Sequence, residues 1–291
     1  MERNEELALD GMVLIPAGEF QMGSPNPDPE YTHHPLHSVY TDAFYMDIYE
    51  VTNAEYKTFV DANPEWRKEN VKEFAEGHLF IWRDNNYPEE LEKHPVVFVS
   101  WYAAMAYAEW MGKRLPTEAE WEKAARGGLE GHKYSWGDTE PNGTQCNFAD
   151  KNTNFKYSNM NADDGYQDTA PVGSYPPNGY GLYDMTGNVW EWCLDAFDYQ
   201  VNINTRRRNP IGGHESITEL VEHHRDIGIE LMMRDGPEYN DDLDARLTER
   251  VLRGGSWECN ASTLRIIFRN NYPAVNTDFY SGFRCVKYVI L

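Results

Sequence analysis

Short stretches near the start of the chain alternate between apolar and polar residues. Residues 12–24, MVLIPAGEFQMGS, alternate on both sides of a Pro-Ala-Gly turn, which predicts a short strand, a turn and a second strand. Residues 39–51, VYTDAFYMDIYEV, predict another strand. The alternation then stops, and the segment TNAEYKTFVDAN predicts a short helix that Thr52 or Asn53 can cap.

Two further segments have helical spacing and carry their own start and stop signals. The segment SWYAAMAYAEWMG predicts a helix that begins after Ser100 and ends at Gly112. The next segment, PTEAEWEKAARGG, predicts a second helix, because Thr117 and Glu120 form a T-x-x-E capping box and a glycine pair follows. These signals are local, so they position both helices without reference to the rest of the chain.

The second half of the chain is less regular. Residues 129–212 are rich in Gly, Asn, Asp, Pro and aromatic residues, which predicts an ordered but irregular region held by side-chain hydrogen bonds. Residues 213–250 predict an amphipathic helix and an acidic linker, which we interpret as an insertion. The last segment returns to short strands. We therefore expect one α+β domain over residues 1–291, with two main helices, short antiparallel strands and long ordered loops.

Charge and composition narrow the range of partners. The formal net charge of -22 argues against nucleic acid and against anionic membranes, because both attract clusters of Lys and Arg. Aromatic residues make up 14% of the chain, and this content is typical of a protein with rings both in its core and around a binding surface. A surface for a protein or small-molecule ligand is the kind of partner site that remains.

Targeting signals and cysteine usage both indicate the cytoplasm. The sequence contains no apolar stretch long enough to span a membrane and no hydrophobic signal region at its start. The four cysteines show no C-x-x-C spacing, so free thiols in a reducing compartment are expected, with one disulfide as the alternative.

Five long motifs occur along the chain in an order that resembles a known family. They are MVLIPAGEFQMGS, YEVTNAEYKTFV, HPVVFVSWYAAMAYAEWMGKRLPTEAEWEKAARGG, PVGSYPPNGYGLYDMTGNVWEW, and RVLRGGSW followed by GFRC. Together they closely resemble the formylglycine-generating enzyme, or sulfatase-modifying factor, family. The resemblance covers nearly the whole chain outside residues 63–93 and 205–249, and it implies that family's variant of the C-type-lectin fold.

Since one fold can carry many functions, the resemblance leaves several open. Relatives are implied to include copper-dependent oxidases of sulfatase cysteines, iron-dependent sulfoxide synthases, other oxidative enzymes and non-catalytic display proteins. The sulfoxide synthases need a separate helical domain with an H-x-x-x-H-x-E iron motif, for which this chain has no room. An oxygen-dependent oxidase, a display protein and a structural or accessory protein are the alternatives that remain.

The resemblance also implies two structural calcium sites. The first would use Asn147, the Phe148 carbonyl, Asp164 and the Tyr166 carbonyl, and the second would use Asp184, the Gly187 and Val189 carbonyls, and Glu191. Calcium binds about six to eight oxygen ligands, which irregular loops can bend to supply. All four side chains have oxygen donors, and a metal would hold together loops with little regular hydrogen bonding. The alternative is that these residues only cap turns.

The copper centre of the family's oxidases is incomplete in this chain. In those enzymes the GGS motif precedes two cysteines five positions apart, which the resemblance implies bind Cu(I) and activate oxygen. Here Ser256 and Cys259 fit that frame, but the second position is Leu264, which cannot bind a metal. In the oxidase alternative, the protein acts on a cysteine, another thiol or another small substrate, and Cys259 and Ser256 are its candidate catalytic residues.

The C-terminal segment supports the display alternative. Residues 259–285 contain no Glu, Lys, Gln, Met or Trp, the five residues that codons of the form NNY cannot encode. Such codons arise when diversity-generating retroelements randomise adenines in AAC or AAT codons, and the proteins diversified in this way resemble this family and vary at its C-terminal segment. A composition shared with the family's oxidases is the competing explanation.

The predicted ligand-binding side chains all lie in this segment. Tyr and Phe offer large rigid contacts, and Asn and Ser offer adaptable hydrogen bonds, as in antibody loops. The predicted set is Asn260, Ser262, Phe268, Asn270, Tyr272, Asn276, Asp278, Phe279 and Tyr280. The sequence thus favours a non-catalytic or weakly catalytic protein that displays a ligand-binding surface, either hypervariable or fixed, on a calcium-stabilised scaffold.

Overall fold

A computed structural model describes most of the chain. The described residues are 9–25, 35–71, 77–198, 208–212, 217–218 and 249–289. The predicted insertion at 213–250 falls almost entirely outside these ranges, so its helix and its acidic linker stay predictions.

Three α-helices form where the local signals place them. Helix α1 (Asn53–Ala62) begins at Thr52, whose side chain accepts a hydrogen bond from the Glu55 backbone N–H in a capping box. Helix α2 (Trp101–Trp110) is capped by Ser100, and helix α3 (Glu118–Arg126) by the predicted box of Thr117 and Glu120. The glycine after α3 has φ 56°, a left-handed conformation that stops the helix.

The first four strands form two small antiparallel pairings. Strand β1 (Met12–Ile15) pairs with β4 (Phe44–Asp47), and β2 (Gly18–Met22) pairs with β3 (His37–Thr41). The segment 39–51, predicted as one strand, therefore contributes to two strands in different sheets. A turn at residues 42–43 separates them, which alternation alone does not reveal. The last strand, β9 (Val286–Tyr288), pairs with β4 on its other edge.

A four-stranded sheet in the order β7-β6-β5-β8 carries the C-terminal segment. Its strands are β5 (Trp190–Ala196), β6 (Glu249–Arg253), β7 (Asn270–Pro273) and β8 (Ser281–Gly282). Strand β5 alternates apolar residues with Glu191 and Asp195, yet it is buried along almost its whole length, so its polar face does not meet solvent. The predicted α+β class with short antiparallel strands is confirmed.

Buried ion pairs fasten the sheet to α3. The guanidinium of Arg253 on β6 pairs with Glu122, which also accepts from Arg126 at 2.6 Å. The guanidinium of Arg269, just before β7, donates to Glu118 at 2.6 Å. Because these charges are buried and paired, each arginine fixes the position of the segment that carries it.

Candidate functional site

The C-terminal segment begins with a tight double-glycine turn after β6. Gly254 and Gly255 have φ of 98° and 78°, a conformation that favours glycine. After the turn, the Trp257 backbone N–H donates to the Asn188 carbonyl at 2.9 Å, just before β5. A short turn follows, in which the Cys259 backbone N–H donates to the Ser256 carbonyl at 2.9 Å. The Ser256 hydroxyl lies 3.6 Å from the Cys259 sulfur. The structure thus brings together the two candidate oxidase residues.

The surroundings of Cys259 favour an inert thiol. The side chain is 8% exposed, and burial raises the pKa of the thiol, so the metal-binding thiolate is disfavoured. Leu264 is fully buried, and a Cβ built on Gly255 would meet its Cδ2 atom at 2.7 Å. A packed leucine therefore stands where the second copper ligand would be, and the residues present do not fit a Cu(I) site.

The residues of the first predicted calcium site converge. The two carboxylate oxygens of Asp164 accept from the Phe148 and Tyr166 backbone N–H groups, both at 2.9 Å. Asn147 is buried beside them, and its Oδ1 atom has no hydrogen-bond partner among the described residues. An unpartnered buried oxygen costs free energy unless something binds it, so this set fits an oxygen-seeking cation. Burial raises the pKa of Asp164 to about 6.

The second predicted calcium set fits less well. Both carboxylate oxygens of Glu191 are engaged: Arg284 donates to them at 2.7 and 2.8 Å, and the Trp121 indole donates at 2.8 Å. Asp184 accepts from the Gly173 backbone N–H at 2.7 Å, and burial raises the pKa of its carboxyl to about 6. The arginine already supplies the positive charge that a metal would bring, which the sequence did not reveal.

Six aromatic side chains in mutual contact run past the turn that carries Cys259. This aromatic row consists, in spatial order, of Tyr157, Phe155, Trp257, Phe279, Phe98 and Phe80. Neighbouring ring centroids lie between 5.3 and 5.9 Å apart. The two end members are exposed, Tyr157 by 51% and Phe80 by 63%. A continuous set of rings that reaches solvent at both ends is an unusual feature for a surface without a partner.

One member of the row has a strained backbone. Phe98 has φ 58°, a conformation that is rare for a bulky side chain and costs roughly 1–3 kcal/mol. Its backbone N–H donates to the Asp278 carbonyl at 2.8 Å, and its ring stacks on Phe279. The strained residue thus contacts the C-terminal segment through both its backbone and its ring.

The scaffold holds the C-terminal segment through the backbone of that segment. Backbone N–H groups of Trp101, Phe98 and Trp190 donate to the carbonyls of residues 274, 278 and 280 at 3.0, 2.8 and 2.7 Å. The side chains of Tyr272, Asn276, Phe279 and Tyr280 remain half-exposed. We call these four side chains the C-terminal surface.

Most of the other predicted ligand-binding residues are also accessible. Asn260, Asn270 and Asp278 are half-exposed and Ser262 is exposed. Hydrogen bonds join two pairs of these side chains. The Ser262 hydroxyl donates to Asn260 at 2.6 Å, and the Asn276 amide donates to Asp278 at 2.8 Å.

Phe268 is a correction to the predicted set. It is 8% exposed and lies in the hydrophobic core, with its ring 5.9 Å from that of Trp190. Ile266, two residues earlier, is buried as well. Phe268 directly precedes Arg269, whose ion pair with Glu118 fixes the backbone so that the Phe268 ring lies in the core. The amino-acid composition of the segment cannot indicate this direction.

Sequence reasoning missed the aromatic row outside the C-terminal segment. Trp257, Phe155 and Phe98 come from three separate parts of the chain, and no local pattern links them. The high aromatic content of the chain is the one sequence signal for this row, and it does not indicate which aromatic residues meet.

The fold and the site together define the class of protein. The model of the sulfatase-modifying factor enzyme 1-like domain matches residues 1–289, so the chain belongs to this family, and the expected variant of the C-type-lectin fold is confirmed. The chain is 37% identical over 316 residues to the formylglycine-generating enzyme of Streptomyces coelicolor, which covers 95% of this chain and 89% of that protein.

Solved structures agree on the fold. PvdO from Pseudomonas aeruginosa is similar with a TM-score of 0.67 and 24% identity, over 96% of this chain and 94% of that one. Treponema denticola variable protein 1 is similar with a TM-score of 0.64 and 23% identity, over 95% of this chain and 94% of that one.

Within the part of the chain that the structure describes, no helix has the length and apolarity needed to cross a membrane. All four cysteines are buried and free.

Proposed function

We propose that this protein is a binding protein that presents the C-terminal surface, together with the aromatic row, to a protein or small-molecule ligand. The observation that carries the proposal is the way in which the segment is held. Its carbonyls are fixed at residues 274, 278 and 280 by donors outside it, while its aromatic and amide side chains stay half-exposed. A surface of this kind combines a rigid backbone with free side chains, as antibody loops do.

Three further observations support a binding role. Leu264 packs where a second thiol would be needed, and the Cys259 thiol is buried. Phe98 keeps a strained backbone next to the segment, and such strain is concentrated at functional sites. A similarly folded protein is named a variable protein, which accords with variation at this surface.

A selection from a random peptide library tests the proposal. The intact chain is used as bait, and the dissociation constants of the enriched peptides are then measured for two variants. Phe279→Ser removes a ring from the middle of the aromatic row, so we expect binding to weaken about tenfold or more, as at an interface hot spot. Tyr288→Ser, which removes an exposed ring on β9 away from this segment, is the matched control.

Two outcomes would count against the proposal. One is a selection in which no peptide is enriched above the level obtained with an unrelated acidic protein. The other is an equal loss of affinity in Phe279→Ser and Tyr288→Ser.

Sequencing of the DNA that follows the gene tests hypervariability separately. A near-copy of codons 253–284 that differs at adenines, beside a reverse transcriptase gene, would support diversification of the C-terminal surface. Without it, the surface would have a fixed rather than a variable ligand.

An oxygen-dependent oxidase is the second candidate. It is supported by the 37% identity to a formylglycine-generating enzyme over nearly the full length of both chains, and by the approach of the Ser256 hydroxyl to the Cys259 sulfur. Such an enzyme would consume oxygen with a thiol substrate. Anaerobic titration with Cu(I), followed by an oxygen-uptake assay with a cysteine-containing peptide, tests this candidate, and Cys259→Ser is its control.

A further inference from the structure

A cavity lies away from the C-terminal surface. It has a volume of about 480 Å³ and is lined by the end of β4, the start of α1 and the end of α2. This volume is within the range of about 300–1,000 Å³ that is common for small-molecule sites. None of its lining residues belongs to the aromatic row or to the predicted calcium sets.

The cavity is acidic. Asp10, Asp47, Glu50 and Glu55 line it, and Lys113 is the one basic residue in its lining. The Lys113 ammonium is already paired with Asp47 at 2.6 Å. Burial raises the pKa of Glu50 well above its usual value, and Glu50 already accepts from Asn188. Asp10 and Glu55 are therefore the residues whose charge favours a cationic occupant.

Glu55 presents an oxygen that has no partner. Its Oε2 atom accepts from the Thr52 backbone N–H at 2.8 Å and from the Thr52 hydroxyl at 2.6 Å, as the capping box requires. In the described part of the chain its Oε1 atom has no hydrogen bond. The capping box therefore fixes the carboxylate and leaves one oxygen for a ligand.

A largely buried tyrosine also lines this space. Tyr107 lines the cavity, is only 3% exposed, and packs its ring against Phe283 and Tyr56. No hydrogen-bond partner for its hydroxyl is found among the described residues. Burial, and then the nearby Cys285, Glu55 and Asp47, raise the pKa of this hydroxyl. Glu55 and Asp47 line the same cavity. The hydroxyl is therefore available to water or to a ligand that enters the cavity.

The aromatic lining suits an organic cation. Trp110 and Tyr49 flank the opening and are 41% and 39% exposed. Faces of aromatic rings attract cations and pack against alkyl chains. In addition, no three Asp, Glu, His or Cys side chains of the described residues converge as a metal site requires. Carboxylates spread around a ring-lined space match an extended organic cation better than a bare ion.

We propose that this cavity binds an aliphatic amine as its ammonium ion, with Glu55 Oε1 and the Tyr107 hydroxyl accepting its N–H groups and Trp110 covering its alkyl chain. An ammonium group has three donors and no acceptor, so it satisfies both unpartnered oxygens at once.

Ligand-observed NMR titration of the intact chain tests the proposal with two probes of equal length. Pentylamine is charged at neutral pH, and pentan-1-ol is its uncharged counterpart. We expect pentylamine to bind about tenfold more tightly than the alcohol, and its affinity to fall as salt is added.

Three variants locate the site. Glu55→Gln keeps the capping box but removes the charge, and we expect it to weaken pentylamine binding about tenfold. Tyr107→Phe removes a hydroxyl without a protein partner, so it should weaken binding and leave the melting temperature unchanged. Glu109→Gln, at an exposed position of α2 outside the cavity, should leave the affinity for pentylamine unchanged.

The proposal is overturned by any of three results: no binding of pentylamine, equal affinity for amine and alcohol, or affinities in Glu55→Gln and Tyr107→Phe that equal the affinity in Glu109→Gln. Because the peptide selection uses the other surface, either proposal can fail without the other.

Discussion

Arg284, just before β9, and Glu191 on β5 form a fully buried bidentate ion pair. Arg284 Nη2 donates to Glu191 Oε1 at 2.7 Å, and Arg284 Nε donates to Glu191 Oε2 at 2.8 Å. The same guanidinium donates to the Ile48 and Tyr183 carbonyls at 3.1 and 2.9 Å. The Arg284 side chain thus joins its own C-terminal segment to residue 48 and to the segment 183–191.

We expect Arg284→Met to destabilise the protein strongly. It would leave the Glu191 carboxylate buried without its counter-charge, and removal of one partner of a buried pair costs about 3–5 kcal/mol. Urea unfolding measures the change in the free energy of unfolding. Arg208→Met is the matched control, because its pair with Asp42 is exposed and contributes little. Equal effects of the two variants would contradict the assigned role of the buried pair.

Stability should fall as the pH rises from about 4 to 7, in part through Asp195. Burial, and then the charge of Glu118, raises the pKa of this carboxyl to about 7, against an ordinary value of about 3.9. Between these values the folded state keeps a proton that the unfolded state has lost, so a rise in pH favours unfolding. Asp164 and Asp184 act in the same direction.

Asp195→Asn should therefore flatten part of the pH dependence of the unfolding free energy between pH 4 and 7. Asp61→Asn, at an exposed position of α1, is the control variant. A wild-type slope that survives in Asp195→Asn would mean that Asp195 titrates at its ordinary pKa in the folded protein.

Calcium should stabilise the protein through the first predicted site. At a concentration about 100-fold above the dissociation constant the gain is about 2.7 kcal/mol. Protons compete with calcium for Asp164, whose pKa is about 6, so the rise in melting temperature should be larger at pH 7.5 than at pH 5.

Asp164→Asn should abolish this response to calcium. Asp163→Asn is the control, since this neighbouring carboxylate is exposed and pairs with Lys151. A response of equal size in both variants, or no response in the wild type at either pH, would show that calcium does not bind at the first predicted site.

Leu264→Cys should bind Cu(I) more tightly than the wild type does. It would add a second thiol in the frame set by Cys259, and two thiolates suit Cu(I). Anaerobic Cu(I) titration against a competing chelator measures the affinity. Leu264→Ala leaves a similar space without a thiol, at a cost of about 2–5 kcal/mol, and should not bind Cu(I). Tight Cu(I) binding by the wild type would instead favour the oxidase candidate.

Features fixed by neighbouring residues could be predicted from the sequence. Ser100 and Thr117 cap their helices through hydrogen bonds to residues three positions on, so both helix starts followed from the chain itself. The family motifs predicted the fold class for the same reason, since each motif is a continuous stretch.

Features that depend on distant partners could not be predicted in this way. Arg284 meets Glu191 across 93 positions, and this pairing gives Glu191 a role that its place in a metal-ligand pattern did not suggest. The sequence predicts Phe268 as a surface residue, because nothing in it shows that Arg269 pairs with Glu118 and thereby turns the Phe268 ring into the core. Tyr107 has the pattern of a core residue, and only the folded cavity identifies its hydroxyl as unpartnered.

The hydrogen bonds that hold residues 274, 278 and 280 have a consequence for how this segment can evolve. Each of them uses a carbonyl of the segment as acceptor. Every amino acid, proline included, keeps that carbonyl, so substitutions there leave these three attachments intact. Insertions and deletions do not, because they shift the carbonyls out of line with the Phe98, Trp101 and Trp190 donors. The scaffold therefore constrains the length of this segment far more than its composition.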